Sequence, residues 1–285
     1  RERLRRKIKE KPDLSGALEK LGIAYIGTIH SFCLRLLQEN PVQAGIDPDV
    51  RVLEDYRATA MISESIQESI LKNLEDPGVY NLTEQLGFEN LSSELLGVFT
   101  TMRNQGLKPQ VLKGGEFQEE TTALLLWDTQ GIYEDKKNRL GVIDFEDILQ
   151  RTREMLDNHP EVLKYYHNKL KYIMVDEYQD LNFVQDYILR RLGERPNLFV
   201  VGDRKQSIFG FRGARVELFQ GLQEDIKQQG QDISLAVNFR SDENIINFVN
   251  KNFETLMPGY EKIRFPEDRE FCSHRGNSPT KNVRF

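Results

Sequence analysis

The sequence predicts an α/β fold: a parallel sheet flanked by helices, with a block of helices inserted into it. Three observations predict this. Short, continuously apolar runs at Lys171–Val175, Leu198–Val201 and Ile233–Val237 alternate with helical patterns. Continuous apolarity marks strands covered on both faces, and strand–helix alternation marks a parallel sheet. Finally, residues 57–140 change character and carry apolar residues at helical spacing.

Taken in order, residues 1–11 (RERLRRKIKEK) are charged and helix-prone, and read as the end of a helix or as a basic arm. An apolar run, Ile23–Ile26, leads to Gly27-Thr28. A helix is predicted from His30 to Leu37, with Phe32, Leu36 and Leu37 on one side, stopped by Asn40-Pro41. Ile62, Ile66, Ile70 and Leu74 recur every four residues and give one apolar helix face, which Asp76-Pro77-Gly78 breaks. Helical patterning continues through Leu95, Leu96, Val98 and Phe99. Beyond the insertion, helices are predicted at Phe145–Leu156, at 183–192 with Val184, Ile188 and Leu192 on one face, and after Val237 with Ile245, Ile246, Val249 and Phe253. The tail after Pro258 is rich in charge, Pro, Gly and Ser, and its last twenty or so residues are expected to be irregular.

The length of 285 residues allows one large domain or two ordinary ones. Hydrophobic residues at 39% and charged residues at 29% give the balance of a soluble globular protein. No run approaches the roughly 18 apolar residues of a membrane span. The basic start has no apolar stretch behind it, unlike a secretory signal. Cys33 and Cys272 lie far apart, so a disulfide framework is not expected and a reducing cytoplasm fits. His30, His159, His167 and His274 have no metal-ligand spacing with cysteine beyond the local pair Cys272 and His274, so no zinc site is expected. A net charge of −6 argues against a charge-driven DNA coat but leaves room for a local basic groove.

Four strings carry chemistry. In Tyr172–Asp180, an apolar run passes straight into Asp176-Glu177. Ligands of open parallel sheets bind at the carboxyl ends of the strands, so these carboxylates would stand at the mouth of a nucleotide site. Asp176 suits Mg²⁺, a hard ion that takes one or two carboxylates with phosphate oxygens and water. Glu177 would orient or deprotonate the attacking water. In Val200–Ala214, a strand ends at Gly202-Asp203 and Gln206 follows, able to bond both a γ-phosphate oxygen and that water. Phe209 and Phe211, with Arg212 beside them, can stack on the bases of a single strand. Arg240, in Asn238-Phe239-Arg240-Ser241, can reach a phosphate across a cleft. In Gly27–Phe32, the hydroxyls of Thr28 and Ser31 and the helix-start amides make a seat for a backbone phosphate. Each string also has an ordinary reading: a capping turn, a pair of core phenylalanines, a surface salt bridge, and a helix cap with His30 as a satisfied histidine.

Together, the four strings resemble the UvrD/Rep-type superfamily 1 DNA helicases in order and spacing. Thr28–Phe32 is similar to the TxHSF motif, Asp176–Asp180 to DExQD with Tyr178 in the usual Phe position, and Gly202–Ala214 to GDxxQSIYxFRGA with Phe209 in the Tyr position. Asn238–Ser241 is similar to motif IV, and Ile143–Leu149 to an LDFDDLL stretch. The resemblance covers residues 20–250 and leans toward AddA-like helicase–nuclease subunits. It implies part of a RecA-like P-loop NTPase motor domain with a helical insertion. The expected divisions are 1–56 and 141–240 for the motor domain, 57–140 for the insertion, and 241–285 for the start of a second motor domain or an irregular tail.

The resemblance further implies ATP and Mg²⁺ as cofactors, single-stranded DNA as the track, 3′ to 5′ translocation with duplex unwinding in repair or recombination, and a second helicase–nuclease subunit as a partner. Asp176 would bind Mg²⁺, Glu177 would be the catalytic base, and Gln206 and Arg240 would contact the γ-phosphate. Thr28, His30, Ser31, Phe209, Phe211 and Arg212 would line the DNA path. The sequence departs from the family in holding no GxxxxGK[ST] string. The chain is therefore expected to be an internal piece of a helicase, inactive alone. The alternative is a degenerate helicase-like protein that binds DNA or a partner, and a further one is a structural subunit whose acids are not catalytic.

Overall fold

The computed structural model describes residues 2–11, 16–109, 117–193, 197–207, 216–231, 233–257 and 260–266. The chain divides into two compact units, residues 1–225 and 226–285.

The first unit begins with α1 (Glu2–Lys9) and α2 (Ala17–Ile23), followed by α3 (Ile29–Glu39), α4 (Pro41–Ala44) and β1 (Arg51–Val52). The predicted helix at His30–Leu37 is α3, capped by Thr28 and ended at Asn40, as Asn-Pro dictates. The apolar run at Ile23–Ile26 starts as the last residue of α2 and continues extended after it.

Four helices follow: α5 (Asp55–Lys72), α6 (Pro77–Leu86), α7 (Phe88–Asn104) and α8 (Phe117–Leu140). Ile62, Ile66 and Ile70 of α5 are buried, as their spacing predicts. Asp76 accepts from the amides of Gly78 and Val79, so the string that ends one helix also caps the next. These helices enclose a core of their own, which includes Val79, Leu91, Leu95, Phe99, Leu125 and Leu126.

The chain then forms β2 (Val142–Ile143), paired in parallel with β1, and α9 (Phe145–Asn158), α10 (Pro160–Lys169), β3 (Ile173–Val175), α11 (Phe183–Leu192) and β4 (Leu198–Val200). A second core lies among α3, α9, α10 and α11, centred on Leu36, Leu37, Leu149, Leu156, Val184 and Ile188. Cys33 is buried in it, and burial pushes its thiol up to about 12, so it stays protonated at neutral pH. Capping boxes open α9 (Asp144 with Asp147) and α11 (Asn182 with Gln185). The helix α12 (Val216–Gln229) follows β4.

β3 and β4 pair in parallel with Met174 opposite Phe199. The expectation of strands covered on both faces is corrected here. Ile173 and Val175 are partly buried, but Met174 is 76% exposed and Phe199 is 59% exposed. Successive strand side chains point to opposite faces. One face meets the helices, while among the described residues nothing covers the other.

The second unit contains α13 (Glu243–Leu256), capped by Asp242. Ile246 is buried and Val249 partly so, while Ile245 and Phe253 of the predicted face are exposed. The third predicted strand is also corrected. Among the described residues, Ile233–Val237 forms only an isolated parallel bridge between Val237 and Arg264, and Leu235 is 88% exposed. An apolar run becomes a strand only where a partner backbone accepts its hydrogen bonds, and among the described residues that partner is a single residue. Most of the tail predicted to be irregular, residues 267–285, lies outside the described residues. No described helix is long and apolar enough to cross a membrane.

Candidate functional site

The carboxyl ends of β3 and β4 stand side by side. The amide of Val201 donates to the carbonyl of Val175 (2.8 Å), and the amide of Tyr178 donates to the carbonyl of Val201 (3.0 Å). Asp176-Glu177 therefore emerges next to Gly202-Asp203. Asp176 and Glu177 are both exposed, and Asp176 Oδ1 accepts from the Glu177 amide at 3.0 Å. Glu177 has φ 53°, the one positive φ at a non-glycine residue among the described residues.

Gln179 ties the two strand ends together. It is buried at 1% exposure. Its Nε2 donates to Glu177 Oε2 at 2.7 Å, and its Oε1 accepts from the Asp203 amide at 3.0 Å. The Asp203 carboxylate then accepts from the Lys205 amide (3.0 Å) and from Gln206 Nε2 (2.9 Å). Ser207 Oγ donates to the Gln179 carbonyl at 3.2 Å. A side chain at Gly202 would put its Cβ 2.7 Å from Gln179 Oε1, so the Gln179 amide would have to shift from its present place. Behind the turn, the Tyr178 hydroxyl donates to the buried Asp186 at 2.5 Å. Asp180, whose Oδ1 has no hydrogen-bond partner, is raised above its ordinary value by desolvation and by the charge of Glu177.

Asp176, Glu177 and Gln206 are thus gathered at one place. Thr28 and Ser31 sit at the start of α3, where Thr28 Oγ1 accepts from the Ser31 amide and Ser31 Oγ donates to the Thr28 carbonyl. His30, half-buried, packs edge-on to Phe145 with ring centroids 5.3 Å apart. Burial lowers its pKa, with Asp55 acting the other way. Phe209, Phe211 and Arg212 lie outside the described residues. Arg240 is exposed in the second unit, on a turn where Asn238 Oδ1 accepts from the amides of Arg240 (2.8 Å) and Ser241 (2.9 Å). No group of three or more His, Cys, Asp or Glu residues able to hold a metal occurs among the described residues. Asp176 with Glu177 still fits an ion completed by phosphate oxygens and water, because both carboxylates are solvent-facing at a strand end.

Sequence reasoning missed two features. Gln179 lay inside a singled-out string but was given no role; its signal was an uncharged polar residue two positions after an apolar-backed acidic pair. The other is a buried ion cluster. Arg103 of α7 grips Asp144 through both terminal nitrogens (2.8 and 2.9 Å) and reaches Asp147 at 3.1 Å. Lys137 of α8, 2% exposed, contacts both Asp147 oxygens at 2.6 Å, and the Tyr133 hydroxyl donates to Asp144. Burial pushes the Asp144 carboxyl upward, but Arg103, Lys137 and Tyr133 outweigh it and hold the group well below the usual carboxylate range. Burial pushes neighbouring Glu146 up to about 7, opposed by Arg103 and aided by Asp144, Asp147 and Asp55; its Oε2 is buried without a partner. No spacing rule in the sequence pairs Arg103 with acids some forty residues away.

The family model described as UvrD/REP helicase N-terminal domain matches residues 1–227. The chain is similar to the ATP-dependent DNA helicase PcrA of Staphylococcus epidermidis, 30% identical over 269 aligned residues that cover 87% of this chain and 34% of that protein. It is also similar to DNA helicase II of Haemophilus influenzae, 28% identical over 228 residues, with 80% of this chain and 29% of that protein covered. PcrA of Staphylococcus aureus (strain Mu50) is 29% identical over 239 residues, again with 80% and 29% covered. The chain spans about a third of the length of these relatives. A motif set in family order, two parallel strands ending in the expected acids, and a family match over most of its length place this chain in the UvrD/Rep helicase N-terminal domain family.

Proposed function

We propose that the chain is the part of an ATP-dependent DNA helicase that holds the water-activating carboxylates and a nucleotide-sensing glutamine. The observation that carries this is the hydrogen-bonded series Glu177–Gln179–Asp203–Gln206 across the ends of β3 and β4. When bound, ATP and Mg²⁺ would supply the transferable phosphoryl group and the neutralising charge. Asp176 would hold the ion. Glu177 would orient the attacking water and accept its proton, and Gln206 would sense the γ-phosphate. Arg240, whose backbone is fixed by the Asn238 turn, would contact the same phosphate. Thr28, His30, Ser31, Phe209, Phe211 and Arg212 would form the track for a single strand. The full cycle would be 3′ to 5′ translocation and duplex unwinding in repair or recombination, in the cytoplasm.

The chain by itself would not turn ATP over, since it holds no Gly-rich string to cradle the β- and γ-phosphates. Phosphate release should stay at background with DNA present. DNA-stimulated turnover abolished by Glu177→Gln would overturn this part of the reading. The site itself is tested by binding. Mn²⁺ should bind and be lost on Asp176→Ala. Single-stranded DNA should bind weakly, with affinity falling as salt rises and falling again on Phe211→Ala. A chain with neither activity would refute the assignment.

A further inference from the structure

We propose that Gln179 is a positioning residue, a relay that reports the state of Glu177 to the turn bearing Asp203 and Gln206. The inference deepens the proposed function, since it rests on Glu177 being the residue that handles water. Three observations carry it. The Gln179 side chain is buried and uses both ends of its amide. Its orientation is fixed, because the Asp203 amide can only donate, so the amide oxygen must face Asp203 and the NH₂ must face Glu177. Its amide oxygen packs against Gly202, where a Cβ would come within 2.7 Å and push the amide out of place.

These facts make the amide a rigid lever between an exposed carboxylate and a backbone N–H on the neighbouring strand end. When Glu177 swings toward another partner, such as a water or a phosphate-bound ion, the NH₂ loses its acceptor. The amide is then free to turn, and the Asp203 N–H loses its fixed partner. Asp203 in turn holds Gln206, so the glutamine that would face the γ-phosphate is set by the carboxylate that would face the water.

The test is amide hydrogen exchange measured residue by residue by NMR on the whole chain, without ligand. Glu177→Ala should speed exchange at Asp203 by about fivefold, the factor expected for loss of one ordinary hydrogen bond. Glu177→Gln, whose amide oxygen still accepts from Gln179, should restore the original rate. The Val201 amide, bonded within the strand pair, should not change in either variant. Unchanged exchange at Asp203 in Glu177→Ala would overturn the relay. So would equal acceleration at Val201, which would mean general loosening of the sheet. Gln179→Met should speed Asp203 at least as much as Glu177→Ala; if that variant fails to fold, the exposed Glu177 pair decides the matter alone. Because this readout needs neither DNA nor metal, failure of the relay and failure of the DNA and Mn²⁺ binding are seen separately.

Discussion

Two short acidic strings in this chain look alike on paper and behave oppositely in the fold. Ile143-Asp144-Phe145-Glu146-Asp147 and Val175-Asp176-Glu177-Tyr178-Gln179 each run from a strand into acids. In the first, Asp144 is 3% exposed and Asp147 8%, and both are clamped by Arg103, some forty residues earlier in the chain, and by Lys137 of the helix just before the strand. In the second, Asp176 and Glu177 face solvent, and the buried members are the uncharged Tyr178 and Gln179. Burial decides which acids are architecture and which remain available for chemistry. A dried carboxylate must keep its counter-charges, whereas a wet one can exchange partners.

The contrast breaks most visibly on the buried side. Arg103→Ala leaves Asp144 without its main counter-charge and should cost about 3–5 kcal/mol, read from the urea midpoint. A loss under about 1 kcal/mol would mean that water relieves the cluster. Next in size is Glu146. Its folded pKa, about 7, lies above its unfolded value, so the folded state holds the extra proton between the two. Its share of stability is therefore full below the unfolded value and falls away as pH rises through about 7. Glu146→Gln should remove that slope and gain about 2 kcal/mol above pH 7, as unfolding across pH 5–8 would show. Asp144 runs the other way, its contribution being present at neutral pH and lost in acid. The smallest effect belongs to the wet string. Asp176→Asn and Glu177→Gln should each shift stability by less than about 0.5 kcal/mol. A larger loss in the urea midpoint would show that these acids hold the fold.

Local signals carried most of what could be read from the chain. Thr28 announced a helix start because a cap is settled within one turn, whereas Asp76 was read only as a breaker although it also caps the next helix. The runs at Lys171–Val175 and Leu198–Val201 became β3 and β4, and their acids fell together at the strand ends. The open face of Met174 and Phe199 and the single bridge that the described residues give Ile233–Val237 were not legible. Whether an apolar residue is covered, or an extended run is paired, depends on segments remote in sequence. The same remoteness hid the link from Arg103 to Asp144 and the bond from Gln179 to the Asp203 amide.

Glu177 keeps a backbone geometry in which a side chain is a burden and glycine would rest easily. A sequence tuned only for folding would drift toward glycine or asparagine at this position. Glutamate at that place carries the cost of a left-handed backbone while its carboxylate, at the end of a strand, keeps one hydrogen bond to the buried Gln179 amide and the rest of its surface in water.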